Sequence, residues 1–372
     1  MKVFFAFRDA PERRAALRSP DSLDRYRLFG LDEAVRRGVQ VRHNLERDAA
    51  PTRWSRATRR TVNGALDAAG AIGGDFATIL DSRSAINEAD VVFSTVDTVG
   101  MPLMLLRRAR LVRPPLVYTA IGLPERLARL RNERARQLFR SALRSTHTVI
   151  AYSAAEAERL REWIGSDGPP VVFVPFGVDP GLFRPVDTEA GSVDVVAIGA
   201  DPQRDFELLL SVAARRPQLS FRIVSTPDHV RALGAVPSNV VIETDIPLEA
   251  ARERLAQAHV VALPVRANSY SGATTTLLQA MAMAKPVVVS RTEAIEEGYG
   301  LADGVNCRLV APGDAEAFGA ALDELLADPT AAATLGEQAR STVVDGFSWQ
   351  SYTDALWRIV SGAAEAGSEN RR

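Results

Sequence analysis

The sequence predicts an α/β protein made of two doubly wound parallel-sheet domains in succession, and three observations carry that expectation. Its 372 residues exceed what one hydrophobic core serves well. Short apolar runs alternate with longer amphipathic stretches along the whole chain, the rhythm of βαβ units. One stretch, FGVDPGLFRPVDTEAGS at 176–192, is rich in Gly, Pro and acidic residues and lacks an apolar period, which marks a connection between two such series.

The first series reads VFFAF at 3–7, VQVRH at 39–43, DVVFS at 90–94, PLVYT at 115–119 and HTVIAYS at 147–153. Charges and prolines follow MKVFFAF at once, so the opening run is too short for a signal peptide or a spanning helix and is expected as the first buried strand. The second series reads VVFVPF at 171–176, VDVVAIG at 193–199, SFRIVST at 220–226, NVVIET at 239–244, AHVVALPV at 258–265 and KPVVVSR at 285–291. Domains are therefore expected at 1–170 and 171–349. A helix over about 350–365, apolar with helical period from Trp349 to Ile359, is expected to pack back on the first domain. LPERLARLRNERARQLFRSALR at 123–144 is expected as one basic helix carrying seven arginines.

Composition is that of a globular protein, 46% apolar and 24% charged. The single cysteine, Cys307, excludes an internal disulfide and has no spaced His or Cys set around it, which fits a reducing cytoplasm. Charge is divided unevenly: residues 1–150 carry 27 Lys+Arg against 16 Asp+Glu, and residues 151–372 carry 18 against 30. A first half at about +11 suits an anionic partner, either a phosphorylated acceptor or an anionic membrane surface met peripherally on the inner face; two lobes attracting each other is the plainer reading. Nucleic acid is not expected, because that half lacks clustered aromatics for base stacking. Neither G-x-G-x-x-G nor G-x-x-x-x-G-K-[ST] occurs, which disfavours a dinucleotide dehydrogenase and a P-loop NTPase.

Three stretches resemble the glycosyltransferases of GT-B fold, in particular the retaining family 4: VPFGVDPGLFRP at 174–185, ALPVRANSYSGATTTLLQAMAMAKPVVVSRT at 262–292, and DGVNCRLVAPGDAEAF at 303–318. The resemblance implies two Rossmann-like domains facing across a cleft, with an acceptor-binding first domain and a nucleotide-sugar-binding second one. It further implies a nucleoside diphosphate sugar as co-substrate and a small-molecule, glycan or lipid-linked acceptor. The transferred group would be a hexosyl or deoxysugar unit.

Physical chemistry supports the second stretch. Ser271, Gly272 and Ala273 form a small-residue turn opening a helix, where the free N–H groups of Thr274, Thr275 and Thr276 and the helix dipole favour a diphosphate. Ser271 and Gln279 lie roughly 12 Å apart along such a helix, enough to place a sugar at one end and a ribose at the other. The family usually has Glu at both positions, so the donor site departs from the pattern here. In GADPQRDFELL at 199–209, Gly199 fits the donor loop, Ala200 replaces the usual Arg, and Arg204 falls where the family has Lys. Arg204 is the expected catalytic cation on the leaving diphosphate, with a surface arginine paired to Asp201 or Asp205 as the alternative. Arg266 is the second cation candidate, and Glu293, followed by Glu296 and Glu297, is the candidate carboxylate for sugar or ribose hydroxyls.

The family's N-terminal histidine has no counterpart in LVYTAIGLPERL, and none of His43, His147, His229 and His259 is expected at the site. Retaining transfer needs no separate base; an inverting enzyme would need one, with Asp9 and Asp97 as acceptor-side candidates. No Asp-x-Asp triplet occurs, so neither metal nor cofactor is expected. A weakly catalytic or non-catalytic nucleotide- or anion-binding relative stays open as the second reading, on account of Ser271, Gln279 and Ala200.

Overall fold

Strands covered on both faces read as unbroken apolar runs, and the central strands here do so. Val3 to Ala6, Val91 to Phe93 and Val287 to Val289 are each no more than 1% exposed. The computed structural model describes residues 1–18, 23–46, 53–68, 70, 72–186, 192–270 and 272–369. The chain forms two compact units: Met1–Val174 together with the chain from Thr353 on, and Pro175–Tyr352.

The first unit holds a six-stranded parallel sheet: β1 (Lys2–Ala6), β2 (Gln40–His43), β3 (Val91–Ser94), β4 (Leu116–Ala120), β5 (Thr148–Ala151) and β6 (Val171–Phe173), in the order β2-β1-β3-β4-β5-β6. The second unit repeats the plan with β7 (Val193–Ile198), β8 (Phe221–Ser225), β9 (Val240–Thr244), β10 (Ala258–Leu263), β11 (Val287–Ser290) and β12 (Arg308–Val310), ordered β12-β11-β10-β7-β8-β9. Helices flank both sheets. Phe4, Val92, Tyr118 and Phe139 sit in the core of the first unit, and Phe206, Phe221, Val260 and Phe318 in that of the second. Each such side chain contributes roughly 1.5–3 kcal/mol by leaving water.

Two corrections to the sequence reading concern strand pairing. The run at 171–176 was expected to open the second series. Its strand, 171–173, instead pairs with β5 in the first sheet, with Val149 opposite Val171, and Val174 N–H continues the ladder to Ala151 O. An apolar run does not encode which neighbour it will pair with. β12 was not anticipated; only three residues long, it pairs with β11 at Val288 and Arg308.

The expected basic helix at 123–144 is two helices, Leu123–Leu127 and Glu133–Leu143. Asn132 ends the gap by accepting the Ala135 N–H at 2.7 Å, an N-cap that restarts the helix. Five arginines flank or follow this cap, while Leu127, Leu130 and Leu143 are buried.

The last helix is Trp349–Glu369. Within the first unit its Trp357 ring lies 6.3 Å from that of Phe5, and Asp354 pairs with Arg37. A Cβ on Gly30, whose φ is +83°, would stand 3.3 Å from Leu356, so the helix packs closely over that turn. Among the described residues no helix is long and apolar enough to cross a membrane.

Strand order locates the crevices. In an open parallel sheet, ligands lie beyond the carboxyl ends of the strands where the winding direction reverses. That point falls between β1 and β3 in the first sheet and between β7 and β10 in the second.

Candidate functional site

The second sheet's reversal point is flanked by the loop after β7, Gly199 to Asp205, and the loop after β10, Pro264 to Ala273. Backbone bonds tie the two together: Asp205 N–H donates to Pro264 O at 2.9 Å and Arg266 N–H to Gln203 O at 2.8 Å, and Arg204 bridges Val265. The Tyr270 hydroxyl donates to Asp201, 2.8 and 3.0 Å from its two oxygens, and Gln203 N–H donates to the same carboxylate. A Cβ on Gly272 would stand 2.7 Å from Asp201 Oδ2, so the turn that opens the following helix is pressed against this carboxylate.

Arg204 lies inside this arrangement. The residue is 2% exposed, and its Nε and Nη1 are sealed from solvent without a hydrogen-bond partner. Burial lowers its pKa to about 10, offset in part by Asp201 and Tyr270, so it remains a cation at neutral pH. The surface-arginine alternative is therefore overturned. Asp205 does not pair with Arg204: its side chain caps a helix through the Leu208 N–H and faces Arg266 at 3.5 Å. Leaving two nitrogens of a buried guanidinium without acceptors is costly, a cost that an accepting anion would offset.

Four further observations surround it. The helix Thr274–Ala282 begins after Ala273, whose side chain offers no cap to its first N–H groups. Thr274 is 1% exposed and its Oγ1 has no partner; Asn268 Oδ1 and Thr292 Oγ1 are likewise buried and unpartnered. Buried polar atoms are almost always satisfied, so these unpartnered atoms, carried by the segments after β7, β10 and β11, are the candidates for bonding a polar molecule. Gln279, five residues into the same helix, is 7% exposed. Thr275 and Thr276 are half-buried. Ser271 lies outside the described residues.

Other candidates are placed differently. Arg266 sits 3.5 Å from Asp205 and 3.3 Å from Glu207, two carboxylates that neutralise it. Glu293 is exposed at the start of the short helix Glu293–Glu296; Glu296 pairs with Arg291 at 3.0 Å, and Glu297 is exposed. His229 was not expected at the site, yet it stands in the first turn after β8, with Nδ1 3.2 Å from Ser225 Oγ. The sequence signal was Thr-Pro at 226–227, a helix start that puts residue 229 at the carboxyl end of a strand.

In the first unit, Asp9 follows β1 and Asp97 follows β3, one on each side of that sheet's reversal point. Asp9 is held by Arg14, whose hydrogen bonds at 2.8 and 3.0 Å lower its pKa. Asp97 is 2% exposed; it accepts from the Tyr118 hydroxyl at 2.6 Å and the Ile121 N–H at 3.3 Å, and burial raises its pKa to about 6. The sequence reading missed its neighbour Glu156. Fully buried, Glu156 accepts the N–H groups of Gly122 and Leu123 at 2.7 and 3.1 Å, and burial together with Asp97 raises its pKa to about 8. The turn where the family's histidine would stand is thus held by two buried carboxyl groups.

Residues 32–182 match the family described as Glycosyltransferase Family 4, and residues 194–328 match Glycosyl transferases group 1. Together the two segments span well over half of the chain, which is a glycosyltransferase of GT-B fold and family 4 type. An MMP alpha-(1->4)-mannosyltransferase of Mycolicibacterium hassiacum is 27% identical over 378 residues, covering 94% of this chain and 88% of the relative. A GDP-mannose-dependent alpha-(1-6)-phosphatidylinositol monomannoside mannosyltransferase of Mycolicibacterium smegmatis is 32% identical over 162 residues, 41% of this chain and 42% of the relative. Among solved structures, sucrose-phosphate synthase from Thermosynechococcus elongatus superposes with a TM-score of 0.72 at 19% identity, covering 98% of this chain and all of that one. HepE from Anabaena in complex with UDP-glucose gives 0.67 at 18%, covering 97% of this chain and all of that one.

Proposed function

We propose that the enzyme transfers a hexosyl group from a nucleoside diphosphate sugar to an acceptor bound by the first unit, with retention at the anomeric carbon and without a metal. One observation carries this reading: the sealed guanidinium of Arg204, with Nε and Nη1 unpartnered, stands in the loop tied to the one leading into an uncapped helix start. Both supply N–H donors to a diphosphate, and both act most strongly on the charge that develops as the anomeric C–O bond to the β-phosphate breaks. The acceptor oxygen bonds to the same carbon on the same face, and its proton passes to the departing phosphate oxygen. No side-chain base is required for that step.

Gln279 would hold the ribose diol as a neutral partner. Mannose is the first sugar to test, since the two mycolicibacterial relatives are mannosyltransferases by name. The positive charge of residues 1–150 supports an acceptor bearing phosphate or another anion, lipid-linked or free.

The test is a thermal-shift screen against UDP, GDP and ADP and their mannosyl and glucosyl esters, followed by transfer assays in excess EDTA. A ligand bound only by the folded enzyme raises the melting temperature. Stabilisation by one nucleotide, with turnover unchanged in EDTA, supports the reading. No shift at millimolar concentration sinks it.

A further inference from the structure

At the carboxyl end of β8 the chain turns straight into a short helix. Pro227 takes its first position and the Thr226 hydroxyl accepts the His229 N–H at 3.4 Å. This holds the imidazole half-buried, with its ring edge-on to Phe206 at 5.2 Å. Ser225 Oγ lies 2.8 Å from Gly199 O and 3.2 Å from His229 Nδ1. A hydroxyl has one proton and a carbonyl can only accept, so the serine donates to Gly199 and Nδ1 carries the hydrogen donated to Ser225. The neutral ring therefore keeps its lone pair on Nε2, which has no hydrogen-bond partner among the described residues.

Charges from two loops face this ring. Asp201 and Arg204 come from the loop after β7 and Arg266 from the loop after β10, while Asp228 and Arg231 on its own helix pair with each other. Burial, Arg266 and Arg204 hold the imidazole neutral, against the opposing pull of Asp201. A diphosphate reverses that balance, because its negative charges outweigh the arginine repulsion and reward a second N–H donor.

We propose that His229 is a proton-linked contact of the donor's diphosphate: on binding, Nε2 takes one proton from solvent and donates it in a hydrogen bond to a phosphate oxygen, while Ser225 fixes Nδ1. This rests on the donor-site reading above and adds to it a group whose charge appears only when the anion is present. The positive charge strengthens as the leaving group gains negative charge, and the proton returns to solvent on product release. The plainer role, a ring filling space against Phe206, predicts no proton linkage.

Calorimetry of the full chain with UDP, GDP and ADP, in buffers of differing ionisation enthalpy at pH 7.5, counts the protons taken up. Wild type is expected to gain up to one proton per nucleotide, with affinity rising as the pH falls from about 8 to 6. His229→Asn is expected to lose that uptake and weaken binding about tenfold, the scale of one hydrogen bond to a charged group. The difference between the two proteins cancels the nucleotide's own titration. Equal proton uptake and affinity in a folded His229→Asn variant overturn the proposal and leave the donor site standing. If wild type binds none of the three nucleotides, the donor-site reading fails and this proposal fails with it.

Discussion

Gly199 and Arg204 fit each other: a Cβ on residue 199 would stand 2.2 Å from Nε of the Arg204 guanidinium. The arginine crosses the end of β7 because nothing projects there. The Gly199 carbonyl accepts a hydrogen bond from the Ser225 hydroxyl, so the same residue links Arg204 to the His229 turn.

Gly199→Ala is accordingly expected to displace Arg204 rather than unfold the second unit. Turnover should fall by about 10²-fold or more, the scale seen when a transition-state donor is misplaced, with far-ultraviolet circular dichroism unchanged. Wild-type turnover in a folded Gly199→Ala protein would show that the position of Arg204 does not matter.

Arg204→Met separates stability from activity. A buried charge with two unpartnered nitrogens destabilises the free protein, and an apolar chain of similar length does not, so the melting temperature should hold or rise. Turnover should drop by about 10²–10³-fold. A loss of stability equal to an ordinary core truncation, about 2 kcal/mol or more, would mean that Arg204 is structural.

Glu156 makes the first unit sensitive to pH in a defined direction. Its folded pKa of about 8 lies above the ordinary 4.5, so between these values the unfolded chain releases a proton that the folded chain keeps. Stability from this group is therefore greatest below about pH 4.5 and is lost as the pH rises to about 8. Asp97, raised to about 6, acts the same way between 3.8 and 6. Glu156→Gln keeps an acceptor for Gly122 and Leu123 while removing the ionisation. The variant should be more stable than wild type at pH 8.5, by about 4 kcal/mol, and similar at pH 5. Parallel stability curves from pH 5 to 8.5 would contradict the raised pKa.

Cys307 is fully buried and its thiol is pushed up to about 12 by burial and Asp303. It should resist Ellman's reagent in the native protein and react fully in guanidinium chloride. Rapid native labelling would place it at an accessible surface.

The central strands were legible in the sequence because strands buried on both faces write themselves as apolar runs, as at 193–198 and 258–263. The edge strands β6 and β12, three residues each, were misplaced or missed because so short a run carries little pattern. The position of Arg204 in the loop after β7 was readable from motif resemblance, and the helix start at Thr274 from helix-end physics. Asp201 with Tyr270 was not, since that bond joins residues 69 apart and depends on the fold bringing two loops together. Glu156 was hidden for the same reason: its partners Gly122 and Leu123 lie 34 and 33 residues away, and a glutamate in an amphipathic helix reads as a solvated one.

Titration of the best-stabilising nucleoside diphosphate into wild type and Arg204→Met by calorimetry tests the central claim most directly. The account predicts micromolar binding by wild type and a loss of about 100-fold or more in the variant, with both proteins folded to the same melting temperature or better. Equal affinity in the two proteins would contradict it, because the sealed guanidinium would then have no part in holding the diphosphate.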